Sequence, residues 1–339
     1  MMRLPGFRYR APRTVEEAAA WLAEEPATAM LVAGGTDLLP NMKRRQQTPA
    51  TLIGLRSVAM LDEITDGEGL SIGAGITLSR LISDPRVRAG YPGLYQAAAQ
   101  VATPHLRNMG TIGGNLCLDT RCTYYDQNYE WRKSIDFCMK KDGATCWVAT
   151  SSPKCLAVSS SDTAPMLQAL AATVTLVSAG GRRVVPLSDF FANDGMQYLT
   201  KLPGEVMASV SLPDAKGWSS AYWKLRRRGA FDFPVAAAAV AARLDGRHVD
   251  DVRIVLGAVA SRPLSATKAE ALLKGQSLDD EVIAMAAKAA AEIAKPMDNT
   301  DFELVWRKKM VQSLVTYALQ EVRGDDMRER RLRISRQLL

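Results

Sequence analysis

All five cysteines of this 339-residue chain, Cys117, Cys122, Cys138, Cys146 and Cys155, lie in one short segment. That clustering restricts the fold more than any other feature, because one stretch of chain must bring its thiols together. An odd number of closely grouped cysteines argues against a disulfide framework and for a metal site. A [4Fe–4S] cluster needs four thiolates converging on one point. A zinc site also uses four, but mostly through short C-x₂₋₄-C pairs. Between Cys122, Cys138, Cys146 and Cys155 the intervening stretches are 15, 7 and 8 residues. A plant-type [2Fe–2S] pattern starting at Cys117 and Cys122 would need a cysteine where Tyr125 stands. On spacing alone zinc, or no metal at all, stays open beside the iron–sulfur reading.

Composition sets the context. The chain is 47% hydrophobic and 23% charged with a mean hydropathy of −0.08, ordinary for a globular protein with two or three cores. No apolar run approaches the roughly 18 residues of a membrane span. Residues 1–8 lack the apolar stretch of a secretory signal. A cytoplasmic location without membrane contact is therefore expected. The net charge of +7 raises the question of nucleic acid. The basic residues are scattered, with local runs at Lys43–Arg45, Arg226–Arg228 and Arg328–Arg331, and no nucleic-acid signature accompanies them. They read as solvated faces or as a docking surface for an acidic partner.

Local signals predict the elements. Thr14 and Glu17 form a capping box, which predicts a helix over 15–24. Strands are expected at 29–32 and 51–55 with a short helix to about Arg44 between them, a β-α-β unit. A strand at 70–75, a helix over 78–83 capped by Thr77 and an Ala-rich helix at 93–102 follow. A helix at 164–170, a hairpin of 172–177 with 182–185 around Gly180-Gly181, and a strand at 206–212 complete the middle. Residues 213–217 read as a linker. Beyond it, strands at 219–226, 235–244 and 252–260 form a meander, then helices fill 266–274, 279–294 and 302–322. His105 and His248 read as structural or exposed residues, not as catalytic ones.

Two glycine turns carry a second signal. Glycine permits positive φ, and its missing Cβ lets a phosphate approach backbone N–H groups. One turn is Val32-Ala33-Gly34-Gly35-Thr36-Asp37-Leu38-Leu39 and the other is Thr111-Ile112-Gly113-Gly114-Asn115, each beside a strand. Neither a G-x-G-x-x-G nor a G-x-x-x-x-G-K-[ST] motif is present. Either turn alone reads as an ordinary strand–helix connection, and the pair together as a pyrophosphate clamp.

These two segments resemble the FAD-binding segments of the xanthine dehydrogenase family's flavoprotein subunits. Ser161-Asp162-Thr163-Ala164-Pro165 and Ala221-Tyr222-Trp223-Lys224 resemble two further landmarks of that family. The resemblance covers nearly the whole chain. It implies an α+β fold: an N-terminal β-α-β unit plus a central mixed sheet with helices, then a three-stranded antiparallel meander and a helix bundle. The implied domains are 1–56, 57–214 with an insert at about 117–160, and 218–325, followed by a basic tail at 326–339. It also implies FAD held by Val32, Ala33, Gly34, Gly35, Thr36, Asp37, Leu38, Leu39, Thr111, Gly113, Gly114 and Asn115. Thr77, Thr123 and Val206 are expected beside the cofactor, with Asp162 and Lys224 near its far ends. For Asp162 a plain helix cap, and for Lys224 a solvated strand position, are the alternatives.

In most members of the family the second glycine turn runs almost directly into the Asp162 region. Here about forty residues intervene. That departure resembles the 4-hydroxybenzoyl-CoA reductase branch, whose flavoprotein subunit carries a [4Fe–4S] loop. By this resemblance Cys122, Cys138, Cys146 and Cys155 are the ligands. Cys117, directly after Asn115-Leu116, is expected to be the spare, buried as a small apolar group. Tyr124, Tyr125, Tyr129, Trp131, Phe137 and Trp147 are expected to keep solvent from the cluster.

The chain contains no obvious acid–base constellation, which fits an electron relay. The resemblance implies an FAD and [4Fe–4S] subunit that works beside a large molybdopterin-binding subunit and a small [2Fe–2S] subunit, with ferredoxin as donor. The alternative is the flavoprotein subunit of another hydroxylase of the family, acting on a heterocycle or aldehyde. A third reading is a non-catalytic assembly or metal-binding protein with a degenerate flavin fold.

Overall fold

The computed structural model describes residues 3–335. Its first layer is a three-stranded parallel sheet of Arg8–Arg10 (β1), Ala29–Val32 (β2) and Thr51–Gly54 (β3) in the order β1-β3-β2. Helix Val15–Glu24 connects β1 to β2, and helix Leu38–Lys43 connects β2 to β3. The first helix starts where the capping box placed it. Thr14 Oγ1 accepts from Glu17 N–H at 3.1 Å, and Glu17 accepts from Arg13 N–H at 2.6 Å. Strand β1 was not expected, because Arg-Tyr-Arg has no apolar member to mark a buried face.

The middle sheet contains Ile64–Asp66 (β4), Gly69–Gly73 (β5), Thr173–Ser178 (β6), Gly181–Pro186 (β7) and Val206–Pro213 (β8), in the order β4-β5-β8-β6-β7. Every pairing in it is antiparallel, so it is not the mixed sheet expected. The mixture lies between this sheet and the parallel N-terminal one. The Ala-rich helix is shorter than predicted, Pro92–Ala99, and the second glycine turn opens directly into helix Ile112–Leu116.

The last sheet is Trp218–Leu225 (β9), Ala236–Asp245 (β10), His248–Gly257 (β11) and the two-residue Leu264–Ser265 (β12). Strand β10 is buried on both faces. Ala237, Ala239 and Ala241 join the core of the first two layers, whereas Ala236, Ala238, Val240 and Ala242 join the core under helices Thr267–Leu273, Asp280–Ile293 and Leu304–Arg323. Alternate side chains face opposite sides of a strand, and alanine is small enough for close packing on both. The C-terminal layer is thereby fused to the rest through a shared core. Part of the expected tail is ordered: helix Arg328–Ser335 lays Arg331 over the Trp223 ring and against Glu321 at 2.5 Å. Residues 336–339 of that tail lie outside the described residues.

The cysteine segment leaves this scaffold as a loop closed at its base. Arg121 and Val158 exchange both backbone hydrogen bonds, at 2.8 and 2.7 Å. Within the loop, Tyr129–Ser134 is helical, capped by Asn128. A small separate core gathers Cys122, Tyr125, Cys138, Cys155 and Ala157. Asn299 of the C-terminal layer grips both ends of the loop. It accepts from Thr123 N–H at 3.0 Å and donates to Leu156 O at 2.7 Å.

Candidate functional site

The two glycine turns meet. A Cβ on Gly34 would stand 2.0 Å from Met109 O, so only glycine lets the first turn touch the chain entering the second. Gly35 has φ of +69°, a conformation that strains other residues. Gly113 packs on Ala74, where a Cβ would lie 2.7 Å from the alanine methyl. Thr111 Oγ1 accepts from Gly114 N–H at 3.0 Å and starts helix Ile112–Leu116. Between these turns and the C-terminal layer lies an open cleft of about 740 Å³. That volume falls in the range of cofactor sites, roughly 300–1,000 Å³.

The cleft wall is tied together by polar contacts. The Asn115 side-chain oxygen accepts from Ser161 Oγ at 2.8 Å and from Thr163 Oγ1 at 2.6 Å, which locks the second turn onto the segment carrying Asp162. Asp162 is buried and bonds Tyr222 Oη at 2.9 Å and Lys224 Nζ at 3.0 Å. Burial pushes the Asp162 carboxyl up and the Lys224 ammonium down. Their mutual attraction opposes both shifts and favours the ion pair. The helix-cap alternative for Asp162 fails, because Ser161 Oγ takes the Ala164 N–H at 3.1 Å. The solvated-strand alternative for Lys224 fails too, since its side chain is fully buried.

The cysteine segment supplies a second cavity. Cys122, Cys138, Cys146 and Cys155 all line it, together with Tyr124, Tyr125, Met139, Lys140, Trp147 and Val148. Cys117 is not among them. It is partly buried against the main core, as a small apolar group would be, burial pushes its thiol up to about 11, and it borders the large cleft. A backbone N–H points at one of the sulfurs: Ala157 N–H donates to Cys155 Sγ at 3.5 Å, whereas Tyr125 N–H donates to the Cys122 carbonyl oxygen at 3.0 Å. Burial pushes the Cys122 thiol up to about 12 and the Cys155 thiol up to about 11. Thiols so shifted are poor nucleophiles at neutral pH, and a metal that binds them must displace their protons. Among the described residues no three His, Cys, Asp or Glu side chains stand close enough to share one metal ion. The aromatic shield is partial, because Tyr129 and Trp131 face solvent.

The two cavities share a wall. Arg121, at the base of the cysteine loop, pairs with Asp37 of the first glycine turn and bonds Asn41 Oδ1 at 3.3 Å. Its guanidinium lies 4.9 Å from the Phe233 ring centre, and its buried Nε has no protein partner. Gln46 donates to Tyr125 O at 2.7 Å.

Residues 5–215 match the family described as FAD binding domain in molybdopterin dehydrogenase. This chain belongs to that family. Residues 220–322 match the CO dehydrogenase flavoprotein C-terminal domain. The aldehyde oxidoreductase FAD-binding subunit PaoB of Escherichia coli (strain K12) is 33% identical over 327 residues, 93% of this chain and 99% of that one. The carbon monoxide dehydrogenase medium chain of Hydrogenophaga pseudoflava is 32% identical over 317 residues, 93% and 96% of the two chains. The solved carbon monoxide dehydrogenase from the same organism, lacking the Mo-pyranopterin moiety, gives a TM-score of 0.79 at 32% identity, covering 95% of this chain and 98% of that one. The protein is thus an FAD-binding oxidoreductase subunit of the molybdenum hydroxylase type, and the large cleft has the size and glycine-built walls such a cofactor needs.

In this flavoprotein subunit the cleft is lined by Val32, Ala33, Gly34, Gly35, Thr36, Asp37, Leu38, Thr111, Gly113, Gly114, Asn115 and Asp162. Five expected residues stand elsewhere. Leu39 packs against Gly35, Thr77 caps helix Leu78–Ser83 by accepting from Arg80 N–H, and Thr123 bonds Asn299. Val206 is fully buried opposite Val177, and its neighbour Met207 faces the cleft instead. One residue along a strand reverses the face. Lys224 supports Asp162 from behind. Residues not foreseen include Asp119, Arg121, Tyr198, Phe231 and Phe233. The only sequence sign of the phenylalanines was their place in a loop just after the Lys224 strand.

Proposed function

We propose that the chain is the FAD- and [4Fe–4S]-carrying electron-transfer subunit of a molybdenum-dependent reductase resembling 4-hydroxybenzoyl-CoA reductase, acting on an aromatic acyl-CoA. The observation that carries the reading is the cavity lined by Cys122, Cys138, Cys146 and Cys155 beside the FAD cleft, with the fifth cysteine outside it. A donor set of four thiols suits iron and sulfide. When bound, FAD exchanges electrons singly or in pairs and an iron–sulfur centre passes them singly, which is what a relay requires.

The chain's own residues then have defined tasks. Gly34 and Gly113 let the two turns close on Met109 and Ala74, Gly35 takes the positive φ of the first turn, Gly114 leaves the second turn bare of a Cβ, and Thr36, Thr111 and Asn115 offer side-chain donors to a pyrophosphate. Val32, Ala33 and Leu38 give the apolar wall, and Asp37 anchors Arg121. Asp162 bounds one end of the cleft, held by Lys224. Leu39, Thr77 and Val206 act on the flavin only through packing, and Thr123 steadies the Cys122 end of the loop. The partners proposed are a large molybdopterin-binding subunit and a small [2Fe–2S] subunit, with ferredoxin as electron donor. Relatives named a medium chain and an FAD-binding subunit fit such an assembly.

Replacing Cys122→Ser tests the reading. Anaerobically purified protein is expected to lose its iron and sulfide and to keep its flavin. Iron and sulfide contents equal to those of the unaltered protein would sink the assignment. A second reading, another hydroxylase of the family, is favoured by relatives that act on aldehydes and carbon monoxide. Flavin reduced by NADH but not by reduced ferredoxin would decide for it.

A further inference from the structure

We propose that Lys140 is a fixed positive charge set between the cysteine cavity and the flavin cleft, and that its pairing with Asp119 tunes the reduction potential of the iron–sulfur centre. The proposal rests on the reading that these four cysteines hold such a centre.

Three observations carry it. Lys140 lines the cavity with all four cysteines and is the one charged residue among the described residues that do so. Its ammonium is fully engaged: Nζ donates to Asp119 Oδ1 at 2.8 Å, to Thr120 Oγ1 at 2.8 Å and to Gly195 O at 2.6 Å. A lysine has three donors, so no hydrogen remains to turn the group elsewhere. The side chain is only 7% exposed and sits 5.1 and 5.6 Å from the ring centres of Tyr125 and Tyr198. Its charge is therefore immobile and poorly screened.

The contacts also run to both sites. Gly195 packs on Cys155 so tightly that a Cβ there would lie 2.7 Å from Sγ, and its N–H bonds Cys155 O at 2.8 Å. Asp119 lines the flavin cleft. Lys140 thus touches the cysteine wall on one side and the cleft wall on the other. An electron arriving at the four-thiolate centre adds one negative charge, with no bond made or broken. A nearby buried cation favours that charge and raises the potential, while the Asp119 carboxylate offsets part of the cation.

The test is an anaerobic redox titration of the whole enzyme complex with dithionite and mediators, read by visible and electron paramagnetic resonance spectra. Lys140→Met is expected to move the midpoint of the iron–sulfur signal to more negative potential. Asp119→Asn is expected to move it the opposite way, and Lys140→Arg to stay near the native value. Shifts of opposite sign at unchanged iron content are something a purely structural prop would not produce. Equal midpoints in all variants, or shifts of one sign for both Lys140→Met and Asp119→Asn, would overturn the proposal. Should Lys140→Met fail to assemble, the Asp119→Asn shift alone decides by its sign. Native protein without iron would instead overturn the functional reading on which the proposal stands, and the iron count separates the two failures.

Discussion

The flavin cleft and the cysteine loop are neighbours, yet they are built differently. The cleft is walled by glycine turns and by side chains that rest on the large core shared by the first two layers and strand β10. The cysteine loop leans on a core of five residues, three of them cysteines, closed by one pair of backbone hydrogen bonds at Arg121 and Val158. A core that small contributes little hydrophobic stabilisation, and such a loop draws its shape largely from contacts at its ends. The lesson is that one site is preformed by the main core, whereas the other rests on a small core of its own and on the Asn299 and Arg121 contacts that hold its base.

Three substitutions test that contrast, beginning with the largest effect. Lys224→Met leaves Asp162 buried without its cation. Loss of one partner of a buried pair costs about 3–5 kcal/mol, and denaturant unfolding is expected to register it over the whole subunit. The sign of the pH dependence follows. Burial already raises Asp162 above its ordinary value of 3.8, and the missing Lys224 no longer opposes this. A carboxyl whose folded pKa lies above its unfolded one destabilises the fold as pH rises through that window. The deficit should therefore be smallest near pH ~4 and grow toward neutrality. A deficit independent of pH would remove Asp162 as its source.

Gly34→Val drives a side chain into Met109 O and parts the two glycine turns. Overpacking of this kind costs about 1–3 kcal/mol, and roughly tenfold weaker flavin binding is expected for each 1.4 kcal/mol. Flavin-to-protein ratios should fall while any iron bound by the proposed centre stays, because the four cysteines lie on another segment, joined to this turn through the Arg121–Asp37 pair. Parallel loss of both would erase the distinction between the regions. Thr77→Ala probes the smallest effect. As the cap of a single helix its loss should cost about 1 kcal/mol of stability and leave flavin affinity unchanged. A lowered flavin affinity at unchanged melting temperature would return Thr77 to the cofactor.

Helix starts were legible because caps are local. Thr14 with Glu17, and Thr77 alone, mark the ends of helices within four residues of chain. The glycine turns were legible for a similar reason, since the absence of a Cβ is written in the residue itself. Strand faces were harder. Val206 and Met207 are both apolar, and nothing local says which one meets the core and which the cleft. The direction of the central sheet was not legible because β5, β8 and β6, which pair side by side, come from distant parts of the chain, whereas the β6–β7 hairpin is local. The role of Lys140 was invisible, because its partners Asp119 and Gly195 lie 21 and 55 residues away.

By itself, the sequence determined the parts: a glycine-built cofactor clamp, five clustered cysteines and an alanine-rich strand able to pack on both faces. Only the tertiary structure decided their relations. It gathered four of the cysteines around one cavity, left Cys117 in the neighbouring cleft, and set Lys140 and Arg121 in the wall between. The physical reason is range. Backbone geometry and caps act over a few residues, whereas charge pairing and cavity formation depend on which distant segments the folded core brings within a few ångströms.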